Sequence, residues 1–561
     1  MAIDLGRECG RSHESAGAVG ATVEPRRGQG RARPSLAGVA SRDRTRTRTR
    51  GPAAWLAGTV SAESPSLASL PLDALRSAAL SRAEELGCRH AEIRVELLRD
   101  QHLAMRDGAV EGTSDDLELG MGVRVVHGDA LGYAATVELH AGAARELVDQ
   151  AVALASVTSA AGSAPVELAP EPSHGESTWE APYRRDPTTV PLAERVALLE
   201  AWSRRLLGAP GIDHVTASLH AVAEEKHFAD LAGTITTQRR VRVHPSVEAL
   251  ALDGPGGVFE TMRTCAPPVG RGFEYLEGDG WDFDTELASI PEWLAEKLAA
   301  RSVEPGLYDL VIDPTNLWLT IHESVGHATE LDRALGYEAA YAGTSFATFD
   351  QLGTLRYGSE LMNVTGDRTA PHGLATVAYD DEGVSATSFD LVRDGVLVGY
   401  QLDRRIAAEA GFPRSNGCSY ACSPLMTPIQ RMANVSLGHA GAGGPTTAEL
   451  VAAVEHGIYV VGDKSWSIDM QRHNFQFTGQ RFFEITAGKI TGQLRDVAYQ
   501  SRTTDFWGAL SALGGESTYL LAGAMNCGKG QPGQVAAVSH GCPSAVFRRV
   551  SILNTLGESG R

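Results

Sequence analysis

The sequence contains no long apolar run and no framework of paired cysteines. No stretch of about 18 uncharged apolar residues occurs, so no membrane-spanning helix and no membrane partner are expected. The seven cysteines are odd in number and scattered, which predicts reduced thiols and a cytoplasmic location. No Ser/His/Asp set stands out, and no G-x-S-x-G motif lies near a strand–turn–helix pattern, which argues against serine-based hydrolysis.

The composition is that of a globular protein with an uneven charge. Apolar residues make up 43% and charged residues 21% of the 561 residues, and this length favours more than one domain. The formal net charge is −19, yet residues 1–60 hold eleven arginines against five acidic residues. The remainder is therefore strongly acidic, which repels nucleic acid, so no nucleic-acid partner is expected for it.

Residues 1–68 predict a disordered, arginine-rich arm. The segment is rich in Arg, Gly, Ser, Ala and Pro, and its alternating Arg/Thr run at 44–50 cannot bury a face. It lacks the apolar stretch of a secretory signal. A nucleic-acid-binding tail and an unstructured extension are both compatible with this composition, and the second interpretation is favoured.

Residues 69–290 predict an N-terminal α+β domain of helices packed on an antiparallel sheet. Apolar residues recur at helical spacing from Leu72, and from Ala91 to Leu97 they alternate with charged residues, which predicts a helix and then a half-buried strand. Further elements are predicted in the order helix 140–156, a helix from Pro191, strands 213–222, 233–243 and 247–252, a linker or surface loop 276–289, and a short helix 292–302.

Residues 291–561 predict a β-rich C-terminal domain that carries a metal site. Asp313 before Pro314 predicts a helix start, and this helix contains the motif H-E-x-x-x-H at His322 and His327. Histidines five apart on a regular helix would point about 140° apart. If both bind one metal, the spacing predicts a π-type bulge, which Gly326 would tolerate. The alternative is a pair of core or helix-end histidines without a metal.

The carboxylates of this segment suggest roles around a metal. Glu323 follows the first histidine directly, so it would reach a metal-activated water as a general base. Glu330 and Asp332 are predicted as acceptors that orient the imidazole N–H groups. A catalytic zinc site needs a third protein ligand, which spacing alone does not select. The candidates are Cys527, Cys542, His540, Cys418 and Cys422.

Several segments of the chain, in their order, resemble the TldD/PmbA (TldE) family of peptidases. The histidine motif resembles the H-E-x-x-G-H segment of TldD, the catalytic member. The other matching segments are R-M-x-N at 431–434, G-I-Y-V at 457–460, F-x-F at 475–477, G-K-I-T at 488–491 and C-G-K at 527–529. The arm 1–68 and the Cys418/Cys422 insertion have no counterpart in this pattern.

The resemblance implies an α/β N-terminal domain and a β-rich, metal-carrying C-terminal domain. It implies that His322, His327 and Cys527 bind zinc and that Glu323 is the base. The family's substrates are unfolded or extended peptides, including modified-peptide precursors whose leader is trimmed. A TldE/PmbA-like paralogue is implied as partner in a heterodimer, or the chain itself in a homodimer. The alternative is a non-catalytic, peptide-binding subunit, against which the complete histidine motif speaks.

Overall fold

The computed structural model describes residues 66–162, 164–253, 257–530 and 533–558. The predicted disordered arm, residues 1–68, lies outside these residues except for its last three. Those three belong to the fold, because Leu67 is buried and its N–H donates to Glu225 Oε2 at 2.9 Å. Residues from Ser66 onward form one compact unit, so the predicted division near residue 290 stays a prediction.

The first half of the described chain forms one sheet with helices on a single face. Strand β1 lies at its centre between β2 and β5, both antiparallel to it. The sheet order is β3-β2-β1-β5-β6-β4, with β7 on β6. The elements are α1 Leu72–Glu85, β1 His90–Arg106, β2 Ala109–His127, β3 Ala130–Thr136, α2 Ala141–Ala160, β4 Glu176–Glu180, α3 Leu192–Leu207, β5 His214–Asp230, β6 Ile235–Asp253, β7 Val258–Arg263 and α4 Phe283–Ala299.

Residues 91–97 of β1 are buried on both faces, so the prediction of a half-buried strand was wrong for this segment. Its apolar residues, such as Ile93 and Val95, pack with α1 and α2 in one core. The charged residues between them face the second half of the chain. Arg94 donates to Ser423 O and Met426 O at 3.2 and 2.7 Å. The alternation of apolar and charged residues shows which face of the strand is apolar. It does not show that residues far along the chain bury the charged face.

Two further predictions for this half need correction. The predicted strands 233–243 and 247–252 are one continuous strand, β6. The predicted linker 276–289 is helical from Phe283, because the Asp282 side chain accepts the N–H of Thr285 at 3.0 Å and caps α4 there. The acidic composition of this segment therefore marks a helix start as well as a loop.

The second half is β-rich, as predicted, and surrounds one buried helix. Its strands are β8 Arg301–Ser302, β9 Gly306–Ile312, β10 Val364–Asp367, β11 Ser388–Arg393, β12 Val396–Leu397, β13 Ser419–Tyr420, β14 Ile429–Gln430, β15 Asn434–Leu437, β16 His456–Ile468, β17 Asn474–Thr486, β18 Lys489–Arg495, β19 Val497–Arg502, β20 Leu510–Leu513, β21 Leu520–Lys529, β22 Gln534–Cys542 and β23 Ala545–Asn554. Its helices are α5 Pro314–Ile321, α6 Leu331–Ala334, α7 Arg404–Glu409, α8 Thr447–Ala452, α9 Thr503–Gly508 and α10 Thr555–Glu558.

The main sheet of this half closes on itself. Strands β16, β9, β23, β19 and β17 pair in that order, and β17 pairs again with β16. Helix α5 follows β9 and packs against β16 and against the hairpin β21–β22. Asn316 fixes the helix, because its Nδ2 donates to Gly462 O and Thr478 O, both at 2.9 Å. These bonds tie the start of α5 to β16 and β17, while the helix also packs against the hairpin that carries Cys527.

Among the described residues, the structure contains no helix long and apolar enough to cross a membrane.

Strand β9 offers a direct test of this core. Leu310 is fully buried, whereas Leu307 on the same strand is 53% exposed. Leu310→Ala should lower the free energy of unfolding by about 2–5 kcal/mol, since it removes buried methyl groups and leaves a cavity. Leu307→Ala is the matched control and should change it by less than about 0.5 kcal/mol. Urea unfolding followed by circular dichroism measures both, and equal effects would contradict the placement of β9.

Candidate metal centre

The two histidines of the motif lie on a π-helical turn, which confirms the predicted bulge. Helix α5 continues into the π turn His322–Gly326, and the N–H of His327 donates to the carbonyl of His322. This five-residue step brings the two side chains to one side of the helix. Their ring centroids lie 4.7 Å apart. A Cβ on Gly326 would meet the Met432 sulfur at 2.6 Å, so a larger residue there would displace the end of the Met432 side chain.

Side chains satisfy the carbonyls that the irregular turn would otherwise leave unpaired. Gln401 Nε2 donates to Gly326 O at 2.7 Å, and Thr329 Oγ1 donates to Val325 O at 2.8 Å. The hydroxyl of Tyr357 donates to Ser324 O. Buried backbone groups need such partners, so these contacts stabilise a turn that is otherwise unfavourable.

Three side chains come together at this turn with donor atoms suited to a metal. One donor atom each from His322, His327 and Cys527 lies within 4.8 Å of the others, and all three residues are buried. Cys527 reaches the site from strand β21, and its Sγ lies 3.6 Å from His327 Nε2. Two imidazoles and a thiolate are a donor set that zinc prefers, and three protein ligands leave a coordination position open.

Hydrogen bonds behind the histidines define which ring nitrogens face the cluster. His540 donates from Nδ1 to Val435 O at 2.9 Å, because a carbonyl can only accept. Burial lowers the pKa of His540 well below its usual value, so the ring is neutral and its Nε2 accepts from His322 Nδ1 at 2.7 Å. His327 Nδ1 donates to Glu330 Oε2 at 2.8 Å. Both histidines therefore direct Nε2 to the cluster, as metal-binding imidazoles do.

The two predicted orienting carboxylates differ in their contacts. Glu330 accepts from His327, as described above. Asp332 instead contacts Lys529, whose Nζ lies 2.8 Å from Asp332 Oδ1 and 3.1 Å from Glu330 Oε1 and also reaches Gln430. Burial opposes ionisation of Glu330, but Lys529 and His327 outweigh it and hold its pKa well below the usual value. Glu330 is thus an anion held between a histidine and a lysine.

Arg431 supports the thiol of Cys527. Its Nη2 donates to Cys527 O at 2.6 Å, beside an irregularity in the pairing of β21 with β22. Burial would raise the pKa of the Cys527 thiol, but the contact with His327 and the charge of Arg431 outweigh burial and lower it. The surroundings thus favour the thiolate, which is the form that binds metals.

Glu323 directly follows His322 and contacts Arg472. Arg472 belongs to the turn between β16 and β17, and its Nη1 donates to Glu323 Oε2. Burial would raise the pKa of Glu323, but His322, His327 and Arg472 outweigh burial and lower it. Glu323 is ionised in this setting and contacts none of the three cluster donors among the described hydrogen bonds.

The other four candidates for a third ligand do not join the cluster. His540 is behind His322, as described. Cys542 Sγ contacts Pro314 O at 3.7 Å. Burial raises the pKa of Cys418 to about 12, so this thiol stays protonated. Cys422 is buried beside Gln534, whose Oε1 accepts its N–H at 3.0 Å. Of the five candidates, the structure brings Cys527 alone to the two histidines.

Three supporting residues were not predicted from the sequence. Lys529 and Arg431 both lie in segments that resemble the family. Their place in these segments was the one feature of the sequence that could have indicated a role at the site. Arg472 lies outside those segments in a turn of unremarkable composition, and nothing in the sequence ties it to Glu323.

Fold and cluster together define a class of protein: an α+β chain whose β-rich half encloses a His–His–Cys site with a carboxylate beside the first histidine. Family models match two parts of the chain. Residues 305–554 match the PmbA/TldA metallopeptidase C-terminal domain, and residues 91–155 match the PmbA/TldA metallopeptidase domain 1. The chain belongs to the PmbA/TldD family of metallopeptidases.

Individual relatives agree with this assignment. A metalloprotease of Methanothermobacter thermautotrophicus is 27% identical over 467 residues, which cover 83% of this chain and 96% of the relative. A zinc metalloprotease TldD homolog of Saccharolobus solfataricus is 23% identical over 275 residues, covering 49% of this chain and 58% of the relative. The crystal structure of TldE from Thermococcus kodakarensis shares the fold, with a TM-score of 0.62, 17% identity, and coverage of 85% and 99%.

The lysine between two buried carboxylates can be tested without any metal. Lys529→Met leaves Glu330 and Asp332 without their shared cation, and loss of one member of a buried ion pair costs about 3–5 kcal/mol. The metal-free variant should lose that much free energy of unfolding in urea. Lys489→Met, at an exposed position of β18, is the control and should stay within about 0.5 kcal/mol. A Lys529→Met variant as stable as the control would show that this pair is absent.

Proposed function

We propose that this chain is a zinc-dependent peptidase in which His322, His327 and Cys527 hold the metal and Glu323 is the general base. This proposal rests mainly on one observation: the three donors come together at a distorted helix that also contains Glu323. The Nε2 atoms of the two histidines face the cluster, and the Cys527 thiolate is stabilised; both features support zinc as the ion. The name of the Saccharolobus solfataricus relative, a zinc metalloprotease, supports the same ion.

The residues divide the work of hydrolysis. A bound zinc ion would supply Lewis acidity and make an attacking water acidic near neutral pH. Glu323 would take the proton of the attacking water and pass it to the leaving amine nitrogen. Glu330 and His540 would keep the two imidazoles in the required tautomer. The enclosure of the cluster would limit access of bulk water, which strengthens each of these interactions.

We propose unfolded or extended peptides, such as leader or modified-peptide precursors, as substrates. Strand β21, which carries Cys527, pairs with β22 and with no further strand among the described residues. An extended peptide could add to its outer edge through main-chain hydrogen bonds, with little demand on side chains. A TldE-like paralogue, or a second copy of this chain, is the proposed partner, and the likeness to TldE supports the first. A cytoplasmic location suits a thiol ligand that must stay reduced.

Metal content tests the ligand set. Purified chain should contain about one zinc ion per chain by mass spectrometry, since three protein ligands form a catalytic zinc site. His322→Ala and Cys527→Ala should each lose it. His540→Ala should keep the ligands but bind zinc about 10–100-fold more weakly. Cys542→Ser replaces a buried thiol of the same hairpin outside the cluster and should keep full zinc content. Zinc retained without Cys527 would contradict the ligand set.

Hydrolysis of an unfolded protein such as reduced casein tests the activity, with and without the paralogous partner. Glu323→Gln should abolish cleavage while zinc content stays about one per chain, because the amide cannot accept the proton. Cleavage that survives in this variant would assign the base to another group. A zinc-loaded wild-type chain that binds peptides and cleaves none would establish the alternative, a non-catalytic peptide-binding subunit.

A further inference from the structure

Arg472 is the charged residue nearest to Glu323 that the proposed mechanism does not yet use. Its Nη1 donates to Glu323 Oε2, and the two side chains are 14% and 7% exposed. Arg472 lies in the turn between β16 and β17, far from the histidine motif in sequence. The closed sheet places this turn over the π turn of His322–Gly326. A cation therefore contacts the residue that directly follows the proposed metal ligand His322.

The backbone of the turn holds Arg472 in a fixed position. Its N–H donates to Asp469 O at 3.0 Å, and Thr503 Oγ1 donates to its carbonyl at 2.7 Å. The adjacent carbonyl of Gln471 accepts the N–H of Phe346 at 2.8 Å. Arg472 has φ of 63°, a left-handed conformation that arginine rarely adopts. Such strained positions persist where the surroundings impose them, and they occur often at functional sites.

The guanidinium of Arg472 has donors to spare. It carries five N–H donors, and within the described residues Glu323 is the one side chain that accepts from it. Its Nε is buried with no hydrogen-bond partner. The other cations around the cluster do not contact Glu323. Lys529 binds three acceptors, Arg333 binds Glu338 and Ala342 O, and Arg431 binds Cys527 O. The Nε atoms of Arg333 and Arg431 also have no hydrogen-bond partner. Arg472 is thus the cation beside Glu323 that can bind a further anion.

We propose that Arg472 is a catalytic residue that binds the oxygen of the scissile carbonyl and stabilises the negative charge that develops on it. This inference rests on the proposed peptidase function. Before reaction, the Arg472 charge is balanced by the Glu323 carboxylate. The positive charge is already in position, so little reorganisation is needed when the substrate reacts, which is the condition for large electrostatic stabilisation.

The charges balance through the addition step. A water O–H bond breaks and its proton goes to Glu323, while the water oxygen forms a bond to the carbonyl carbon. The π electrons of the carbonyl move to its oxygen, which becomes an anion. Glu323 becomes neutral in the same step, so Arg472 loses its first partner when the new anion appears. On collapse, the C–N bond breaks, the proton passes to the amine, and the original ion pair returns.

The test compares three variants of the zinc-loaded full chain. Arg472→Met removes the positive charge. Arg472→Lys keeps a positive charge but lacks the planar guanidinium group with its several N–H donors. Arg481→Met is the control. Arg481 is on the same hairpin but stacks on Trp293, 3.6 Å from its ring centroid. The readouts are kcat and KM for a quenched-fluorescent peptide that the wild type cleaves, and the inhibition constant of its phosphinic analogue, a tetrahedral anion. Zinc content and melting temperature check that each variant is folded and loaded.

Arg472→Met should lower kcat about 100–1,000-fold with KM within about threefold, as loss of one oxyanion donor does. Its affinity for the phosphinic analogue should fall by a similar factor, and Arg472→Lys should lie between it and the wild type. Arg481→Met should match the wild type. A normal kcat in Arg472→Met, or a rise in KM alone, would overturn the inference. If Arg472→Met does not fold, the lysine variant decides, since its kcat and its affinity for the analogue must fall together.

The two levels of the proposal fail in different ways. If the wild-type chain, alone and with its partner, cleaves no peptide, the proposed function fails and this inference fails with it. If the wild type cleaves and the Arg472 variants match Arg481→Met, the peptidase assignment stands and Arg472 has no catalytic role.

Discussion

The geometry of the whole cluster depends on one hydrogen bond of unusual spacing, from the N–H of His327 to the carbonyl of His322. A regular helix would point these two imidazoles about 140° apart, and one inserted residue brings them together. The turn is unfavourable by itself, so the fold supports it from several directions. Gln401, Tyr357 and Thr329 each satisfy one of its carbonyls. Met432 fills the space that a side chain at position 326 would need.

The same reasoning explains why the cluster lies in the β-rich half. A closed sheet and the hairpin β21–β22 bring a cysteine from 200 residues away to within 3.6 Å of His327. The groups behind the donors are held by neighbouring elements as well. Val435 on β15 binds His540, and Arg431, directly after β14, binds the backbone of Cys527. Rigid strands on several sides give the donors positions that a loop would not maintain.

The sequence predicted the features that depend on local spacing. The distance between His322 and His327 predicted the bulge, and the apolar periodicity from Leu72 predicted α1. The failures concern contacts between distant segments. The charged face of β1 pairs with groups more than 300 residues away, such as Met426 O, and nothing near Arg94 in the sequence indicates them. Arg472 meets Glu323 across 149 residues for the same reason. The start of α4 after Asp282 could have been predicted from the sequence, because an aspartate at a helix N-cap is a local signal.

The charges around the site point to the reaction that it favours. Cations contact the groups around the donors: Lys529 lies between Glu330 and Asp332, and Arg472 contacts Glu323. Arg431 binds the backbone carbonyl of Cys527. These cations offset much of the negative charge around the site, so the carboxylates compensate less of the charge of a divalent ion when it binds. Inside a buried site such a charge is poorly screened, so it attracts anions strongly. The species stabilised most is therefore one whose negative charge appears only during the reaction, and a carbonyl under attack by water develops that charge.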